Sequence, residues 1–152
     1  MNDELKIKQE NISKRIVALA KDMQNAADEF INGFNQGDIL TFSRGQSKSK
    51  SDEYLKKYYS FFAKISPMIT ELSRMNARLA SLLIQADKEM KVDIIVTCEN
   101  RFNTYEKFER ELYEYIKSIE DAFENSTASA TFIINATQRL KNSLSVLIEK
   151  NT

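Results

Sequence analysis

One long stretch of this chain places an apolar or aromatic side chain at alternating intervals of three and four residues. The positions that keep this spacing are Leu55, Tyr58, Phe62, Ile65, Ile69, Leu72, Asn76, Leu79, Leu83, Ala86 and Met90, and only Asn76 is polar. An α-helix has 3.6 residues per turn, so the spacing brings these side chains to one side of a helix. The stretch must therefore bury that side against other helices.

A second apolar stripe runs beside the first at strict seven-residue intervals. Its members are Tyr54, Phe61, Met68, Met75 and Leu82. A helix that is apolar at three heptad positions is too wide for a two-stranded seam and suits a bundle in which it has two neighbours. Three glycines and one proline leave little material for the turns of a β fold. The sequence predicts an all-α, antiparallel four-helix bundle with long helices, which dimerisation could complete.

Four helices and one linker account for the 152 residues, which we expect to form a single domain. The first helix is predicted from Asp3 to about Phe34, with Asn2 as its cap. Residues 35–51 form a linker whose second half is rich in serine and lysine, a composition typical of flexible chain. Its apolar residues are expected to pack onto the bundle, or alternatively to bind a partner: Ile39, Leu40 and Phe42.

The second helix is predicted to begin after Ser51 and to be kinked at Pro67, because the apolar stripe keeps its phase through the proline. The phase is lost after Met90. We therefore expect a tight turn near Asp87–Asp93, with Asp93 as the cap of the third helix. The alternative is one continuous helix from Asp52 to Glu124, which would require a partner along its length.

The fourth helix, roughly 128–150, is expected to follow a cap among Asn125, Ser126 and Thr127. At 1.5 Å per residue it spans only about 35 Å, against about 48 Å for the first helix. One end of the longer helices is then uncovered. An exposed apolar surface there is typical of an association site, so the sequence predicts a homodimer interface that includes Leu82, Met90 and Ile94 or Ile95.

Composition excludes several functional classes. The chain has no histidine, which removes the usual general base and the commonest transition-metal ligand. We therefore expect a non-catalytic protein without a cofactor or metal. The single cysteine, Cys98, excludes an internal disulfide and lies on an apolar stripe, so it is expected to be an inert core residue. The N-terminus does not resemble a signal peptide and no apolar run approaches membrane-spanning length, so a cytoplasmic location is expected.

Charge is unevenly distributed although 22 basic and 22 acidic residues balance overall. Residues 92–124 carry nine acids and four bases, whereas residues 38–91 carry ten bases and six acids. Pairing between adjacent antiparallel helices would account for both surpluses. A divalent-cation site among the acids is an alternative, although EF-hand spacing is absent. Asn76, within the apolar stripe, could fix register or lie at a solvated rim.

The segment 44–64 combines basic residues with aromatic rings, a combination that can bind single-stranded nucleic acid or an anionic membrane surface. The candidate contacts are Arg44, Lys48, Lys50, Lys56, Lys57 and Tyr59. The simpler interpretation is a basic loop that leads into a helix whose rings are core, with Tyr59 as the only outward ring. The sequence thus favours a self-associating protein-interaction module, and a binder of nucleic acid or anionic lipid is the alternative.

Overall fold

The computed structural model describes residues 3–40, apart from the side chain of Leu40, and residues 48–152. Five helices form in these two ranges, and no strand occurs in them. The helices are α1 (Glu4–Asn32), α2 (Gln36–Leu40), α3 (Lys48–Lys88), α4 (Val92–Glu124) and α5 (Ala130–Lys150).

The four long helices pack as an antiparallel ring in which α1 contacts α3 and α5, and α4 contacts the same two helices. Side-chain contacts show the directions: on α1, Arg15 pairs with Glu71 of α3 and Glu29 pairs with Lys64, so the two helices run in opposite senses. The predicted all-α bundle is confirmed. Its centre holds large side chains with almost no exposure, among them Ile16, Met23, Ile65, Leu72, Ile119, Ile133 and Leu144.

The helix caps differ from the prediction. Asp3 caps α1 by accepting a hydrogen bond from the Lys6 backbone N–H at 3.3 Å, while Asn2 lies outside the described residues. Ser129 caps α5 in the same way through Phe132 N–H. Asp93 does not cap α4; it lies in the first turn, where an acid still favours the positive end of the helix dipole.

The α3–α4 and α4–α5 connections are tight turns, as predicted for the first, and they exclude one continuous helix from Asp52 to Glu124. The second residue after each helix has the left-handed conformation: Met90 (φ 57°) after α3 and Ser126 (φ 59°) after α4. The next residue donates its N–H to the third-last helical carbonyl, from Lys91 to Ala86 at 2.9 Å and from Thr127 to Ala122 at 2.7 Å. Both are Schellman motifs built without glycine.

The predicted linker 35–51 is wrong at both ends, because residues 36–40 form α2 and α3 already begins at Lys48. Asp38 of α2 is almost fully buried and accepts hydrogen bonds from Lys50 at 3.0 Å and from the Tyr54 hydroxyl at 2.8 Å. These bonds join α2 to the start of α3. Ile39 is exposed rather than packed onto the bundle, and the Leu40 side chain and Phe42 lie outside what the structure describes. Helix α3 continues through Pro67 without a break.

Candidate functional site

The apolar stripe that dominates the sequence is fully buried on α3 only at every second position, from Tyr58 to Ala86. Fully buried positions follow a neighbouring 3-4 pattern through Tyr54, Tyr58, Phe61, Ile65, Leu72, Met75, Leu79, Leu82 and Ala86. Alternate members of the predicted stripe are only half-buried: Leu55, Phe62, Ile69, Asn76 and Leu83. These half-buried side chains form a row at the edge of α3 nearest α4.

Helix α4 contributes a matching half-buried row. Its members are also seven residues apart, and the apolar ones are Ile95, Phe102, Ile116 and Phe123. Tyr58 lies 6.2 Å from the Phe123 ring and Phe61 lies 6.5 Å from the Tyr115 ring, which fixes the register of the two helices. We call the surface that contains both rows the α3–α4 face. It is an apolar seam that this chain covers only in part.

Three large exposed side chains lie on the same face. Tyr59 and Ile84 of α3 are 58% and 60% exposed, and Tyr113 of α4 is 59% exposed. Tyr59 follows Leu55 by four residues and Tyr113 follows Glu109 by four, so each lies about 40° around its helix from the half-buried row. Ile84 follows Leu83 directly and lies about 100° from that row, at the outer edge of the face. Of the other exposed apolar residues, Ile7 and Val146 lie on α1 and α5, and Val92 and Val96 lie in the first turns of α4. An apolar area with this composition is typical of a protein-binding surface.

The charges of α3 and α4 do not neutralise each other. The ion pairs in the described ranges join α1 to α3 (Arg15–Glu71, Glu29–Lys64), α1 to α5 (Asp28–Lys141) and Lys50 to Asp38 and Glu53. None of them joins α3 to α4. The prediction that these two helices pair their surplus charges is therefore wrong for the described residues. The two helices present apolar rows where they meet.

Two of the candidate anion-binding residues of segment 44–64 have partners within the chain, and three are exposed. The carboxylate of Asp38 holds the Lys50 ammonium group. The Lys57 ammonium donates to the Gly33 carbonyl at 2.7 Å and lies over the Phe34 ring. Lys48, Lys56 and Tyr59 are exposed, as Tyr59 was predicted to be. Arg44 lies outside the described residues.

The residues predicted for the dimer interface differ in burial. Leu82 is 4% exposed and Ile94 is 7% exposed, so both are buried within one chain. Leu82 faces α1, where it lines a shallow groove with Lys8, Asn11 and Ile12. The prediction that Leu82 is left uncovered by the short last helix is wrong, because α1 covers it. Ile95 is half-buried in the α3–α4 face, and Met90 is exposed at the turn.

The short last helix does leave one end of the bundle with three helices. Lys150 at the end of α5 lines a groove with Thr104 and Lys107 of α4, so the first turns of α4 extend beyond it. Arg101 lies in this region, half-buried, and its Nε has no hydrogen-bond partner. Burial lowers the pKa of Arg101. Here α1, α3 and α4 close the core by themselves, which explains why Ile94 is buried.

The cysteine and the acidic side chains of the described residues were the candidates for reactive or metal-ligating groups. Cys98 is fully buried, and burial raises the pKa of its thiol, which supports the interpretation as a core residue. No cluster of three or more cysteine and acidic side chains could hold a metal ion across residues 3–40 and 48–152. Within those same ranges no helix has the length and apolar character needed to cross a membrane.

The chain matches no protein-family model, no curated protein and no solved structure. The α3–α4 face is thus described from its own residues. Sequence reasoning missed Tyr113, Ile84 and the acidic residues of α4 as members of this surface. The signal that could have found them is the seven-residue repeat Ile95, Phe102, Glu109, Ile116 and Phe123, which aligns with the half-buried row of α3.

Proposed function

We propose that this protein is a non-catalytic helical interaction module and that the α3–α4 face is its docking surface. One observation carries the proposal: every second member of the longest apolar repeat of the sequence is only half-buried, and a second half-buried apolar row from α4 lies beside it. Tyr59, Ile84 and Tyr113 enlarge this surface with side chains that are more than half exposed. Large apolar and aromatic anchors of this kind supply most of the binding energy in helical interfaces.

The lack of histidine supports a non-catalytic role, because the common nucleophile–base pairs cannot form without it. The alternative function, binding of nucleic acid or anionic lipid, is less well supported by the arrangement of segment 44–64. Two of its lysines, Lys50 and Lys57, are engaged by groups of α1 and α2. If the alternative were correct, changing Lys48 and Lys56 to glutamate would abolish a salt-sensitive binding of single-stranded oligonucleotide or anionic vesicles.

A matched pair of isoleucines tests the docking surface. Ile84 lies on the α3–α4 face and Ile7 lies on α1, and the two are 60% and 53% exposed. We expect Ile84→Asp to abolish association, whereas Ile7→Asp leaves it unchanged, because both variants lose a similar apolar area but only one loses it from the face. Association is measured by light scattering of the purified protein and by co-purification from the native host.

Circular dichroism and urea unfolding show whether both variants remain folded. Equal loss of association in the two variants, or no loss in either, would contradict a docking role for the α3–α4 face.

A further inference from the structure

We infer that the occupant of the α3–α4 face is a second copy of this chain, related by a two-fold axis parallel to the helices, so that α3 of each copy packs against α4 of the other. This inference rests on the proposed function, since it takes the α3–α4 face as the docking surface. It names the partner of that surface and the pairs of residues that meet.

A surface that binds its own copy symmetrically must be complementary to itself. Two parallel helices on one face allow two such arrangements. A two-fold axis along the helices places α3 of one copy over α4 of the other and brings the two α3–α4 turns to the same end. An axis across the helices places α3 over α3 and α4 over α4, with the turns at opposite ends.

The charges of the two helices distinguish these arrangements. Helix α3 carries eight bases and four acids, of which Lys50, Lys57, Lys64 and Glu71 contact α1, α2 or the residues between them, whereas α4 carries four bases and nine acids. No ion pair within the described chain joins the two helices. An axis across the helices would bring like charges together along both pairs of helices, which is unfavourable. An axis along the helices brings the basic helix against the acidic one twice.

The register of this arrangement follows from the symmetry. A two-fold axis along the helices involves no translation, so every residue of the second copy lies at the height of the same residue in the first. Tyr58 lies beside Phe123 and Phe61 lies beside Tyr115, and α3 and α4 are antiparallel. The height of Arg74 on α3 therefore corresponds to residues 102–107 of α4.

Two sets of opposite charges then lie at matching heights. Arg74 lies level with Glu106 of the second copy, and Lys56 lies level with Glu120 and Glu124 of the second copy. All five side chains are exposed in the single chain. Between these sets, α3 presents small side chains that allow another helix to approach closely; they are Ala63, Ser66, Thr70 and Ser73. The positive charges of α4 in this region, Arg110 and Lys117, are level with a part of α3 whose charged side chains, Lys64 and Glu71, pair with α1.

Charge reversal in two separate variants tests the pairing. The first variant carries Lys56→Glu and Arg74→Glu, and the second carries Glu106→Lys and Glu120→Lys. We expect each variant alone to dimerise at least about tenfold more weakly than the wild type at low salt. An equimolar mixture should form a heterodimer, because both contacts then join opposite charges. Lys8→Glu with Lys14→Glu is the matched control, since both lysines are exposed on α1 away from the face.

The position of the turns gives an independent test. Cys98 is fully buried, so a thiol-reactive spin label attaches to a Lys91→Cys variant only at the α3–α4 turn. With the axis along the helices, both turns are at one end of the dimer and the labels lie within about 30 Å, the width of a few packed helices. With the axis across the helices, they are separated by about 50 Å, the length of α4 at 1.5 Å per residue.

Several outcomes would overturn the inference, and they differ from a failure of the proposed function. A monomer by light scattering that still co-purifies with another protein in an Ile84-dependent manner would remove the second copy but keep the docking surface. Preferential pairing of the first variant with the wild type, or labels about 50 Å apart, would establish the other symmetry. Loss of Ile84 dependence in every assay would remove the proposed function itself.

Discussion

Two buried tyrosines of this core differ in the hydrogen bonding of their hydroxyl groups. Tyr58 is 1% exposed and its hydroxyl has no hydrogen-bond partner. Tyr115 is also buried, and its hydroxyl lies 2.8 Å from that of Thr137, which itself donates to the Ile133 carbonyl. The Tyr115 hydroxyl is therefore the donor to Thr137. Burial raises the pKa of both phenols, so both are neutral at any physiological pH.

We expect Tyr58→Phe to leave the free energy of unfolding unchanged or to raise it by up to about 1 kcal/mol, because the variant buries no unsatisfied hydroxyl. Tyr115→Phe should lower it by about 1 kcal/mol, since Thr137 loses its donor. Urea unfolding monitored by circular dichroism measures both. A loss of more than about 1 kcal/mol in Tyr58→Phe would show that its hydroxyl is hydrogen-bonded in solution.

Met90 occupies a backbone conformation that side chains with a Cβ adopt at a cost. Its φ of 57° lies in the left-handed region, and its side chain is 82% exposed, so the residue gains little by packing. The cost of this conformation for a residue other than glycine is roughly 1–2 kcal/mol. Ser126 holds the same position after α4. Both turns are therefore places where the fold, rather than the local sequence, selects the conformation.

Met90→Gly should raise the free energy of unfolding by up to about 1 kcal/mol, because glycine adopts the left-handed conformation without strain but loses more entropy on folding. Thermal unfolding provides the measurement. Met90→Ala is the matched control, because it removes the side chain and keeps the Cβ. Equal changes in the two variants would mean that the side chain, and not the backbone, accounts for the effect.

The α2 element is held to α3 by a buried carboxylate. Burial opposes ionisation of Asp38, but hydrogen bonds from Lys50 and Tyr54 outweigh this effect, so the pKa of Asp38 is below its usual value. Burial, together with the hydrogen bond to Asp38, raises the pKa of Tyr54 to about 12. A short helix of five residues cannot be stable alone, and these bonds fix its position against the bundle.

Asp38→Asn should lower the free energy of unfolding by about 1–3 kcal/mol near pH 7, because Lys50 then loses its charged acceptor. The pKa of Asp38 is lower in the folded state than in the unfolded state. Its contribution is therefore fully present above about pH 4, the usual value for an aspartate, and is lost as the pH falls through the folded value. The difference between wild type and variant should shrink over that range in urea titrations at successive pH values.

Asp28→Asn is the control for this prediction, because Asp28 pairs with Lys141 at a half-exposed surface site. Exposed ion pairs contribute about 1 kcal/mol or less. An equal loss in both variants would contradict a special role for the buried carboxylate.

At the end of the bundle that α5 does not reach, two large apolar residues differ in burial. Leu82 is covered by α1 and is 4% exposed, whereas Met90 is 82% exposed at the turn. Leu82→Glu should lower the free energy of unfolding by about 3 kcal/mol or more, because it buries a charge without a partner. Met90→Glu should change it by no more than about 0.5 kcal/mol.

Thermal unfolding and light scattering of both variants decide between core and interface. A folded monomeric Leu82→Glu variant would instead place Leu82 in a subunit interface and would contradict its assignment to the core.

The sequence predicted the helices well because helix periodicity is a local property. A 3-4 repeat of apolar residues identifies a helix, although only every second member of the repeat is fully buried in α3, and the loss of phase after Met90 located the α3–α4 turn. The helix ends were less accurate. Asp93, Asn125 and Asp3 all have side chains that can cap a helix. Which of several neighbouring candidates does so depends on where packing against the other helices ends the helix.

The location of the docking surface was not available from the sequence. Leu82 and Leu83 differ by one position, yet the first is buried under α1 and the second is half-exposed beside α4. A sequence shows how wide an apolar stripe is, but not which neighbour covers each part of it. In the same way it showed a basic helix and an acidic helix, and only the packed bundle revealed that they do not pair with each other.

By itself the sequence determined the fold class, the long helices and the position of the α3–α4 turn, because each follows from the spacing of apolar residues within one helix. The tertiary structure alone decided the cyclic order of the helices, the burial of Asp38 and the part of the apolar stripe that remains open. Those features depend on contacts between residues far apart in the chain, where the energy of packing one helix against another selects among surfaces that are locally equivalent.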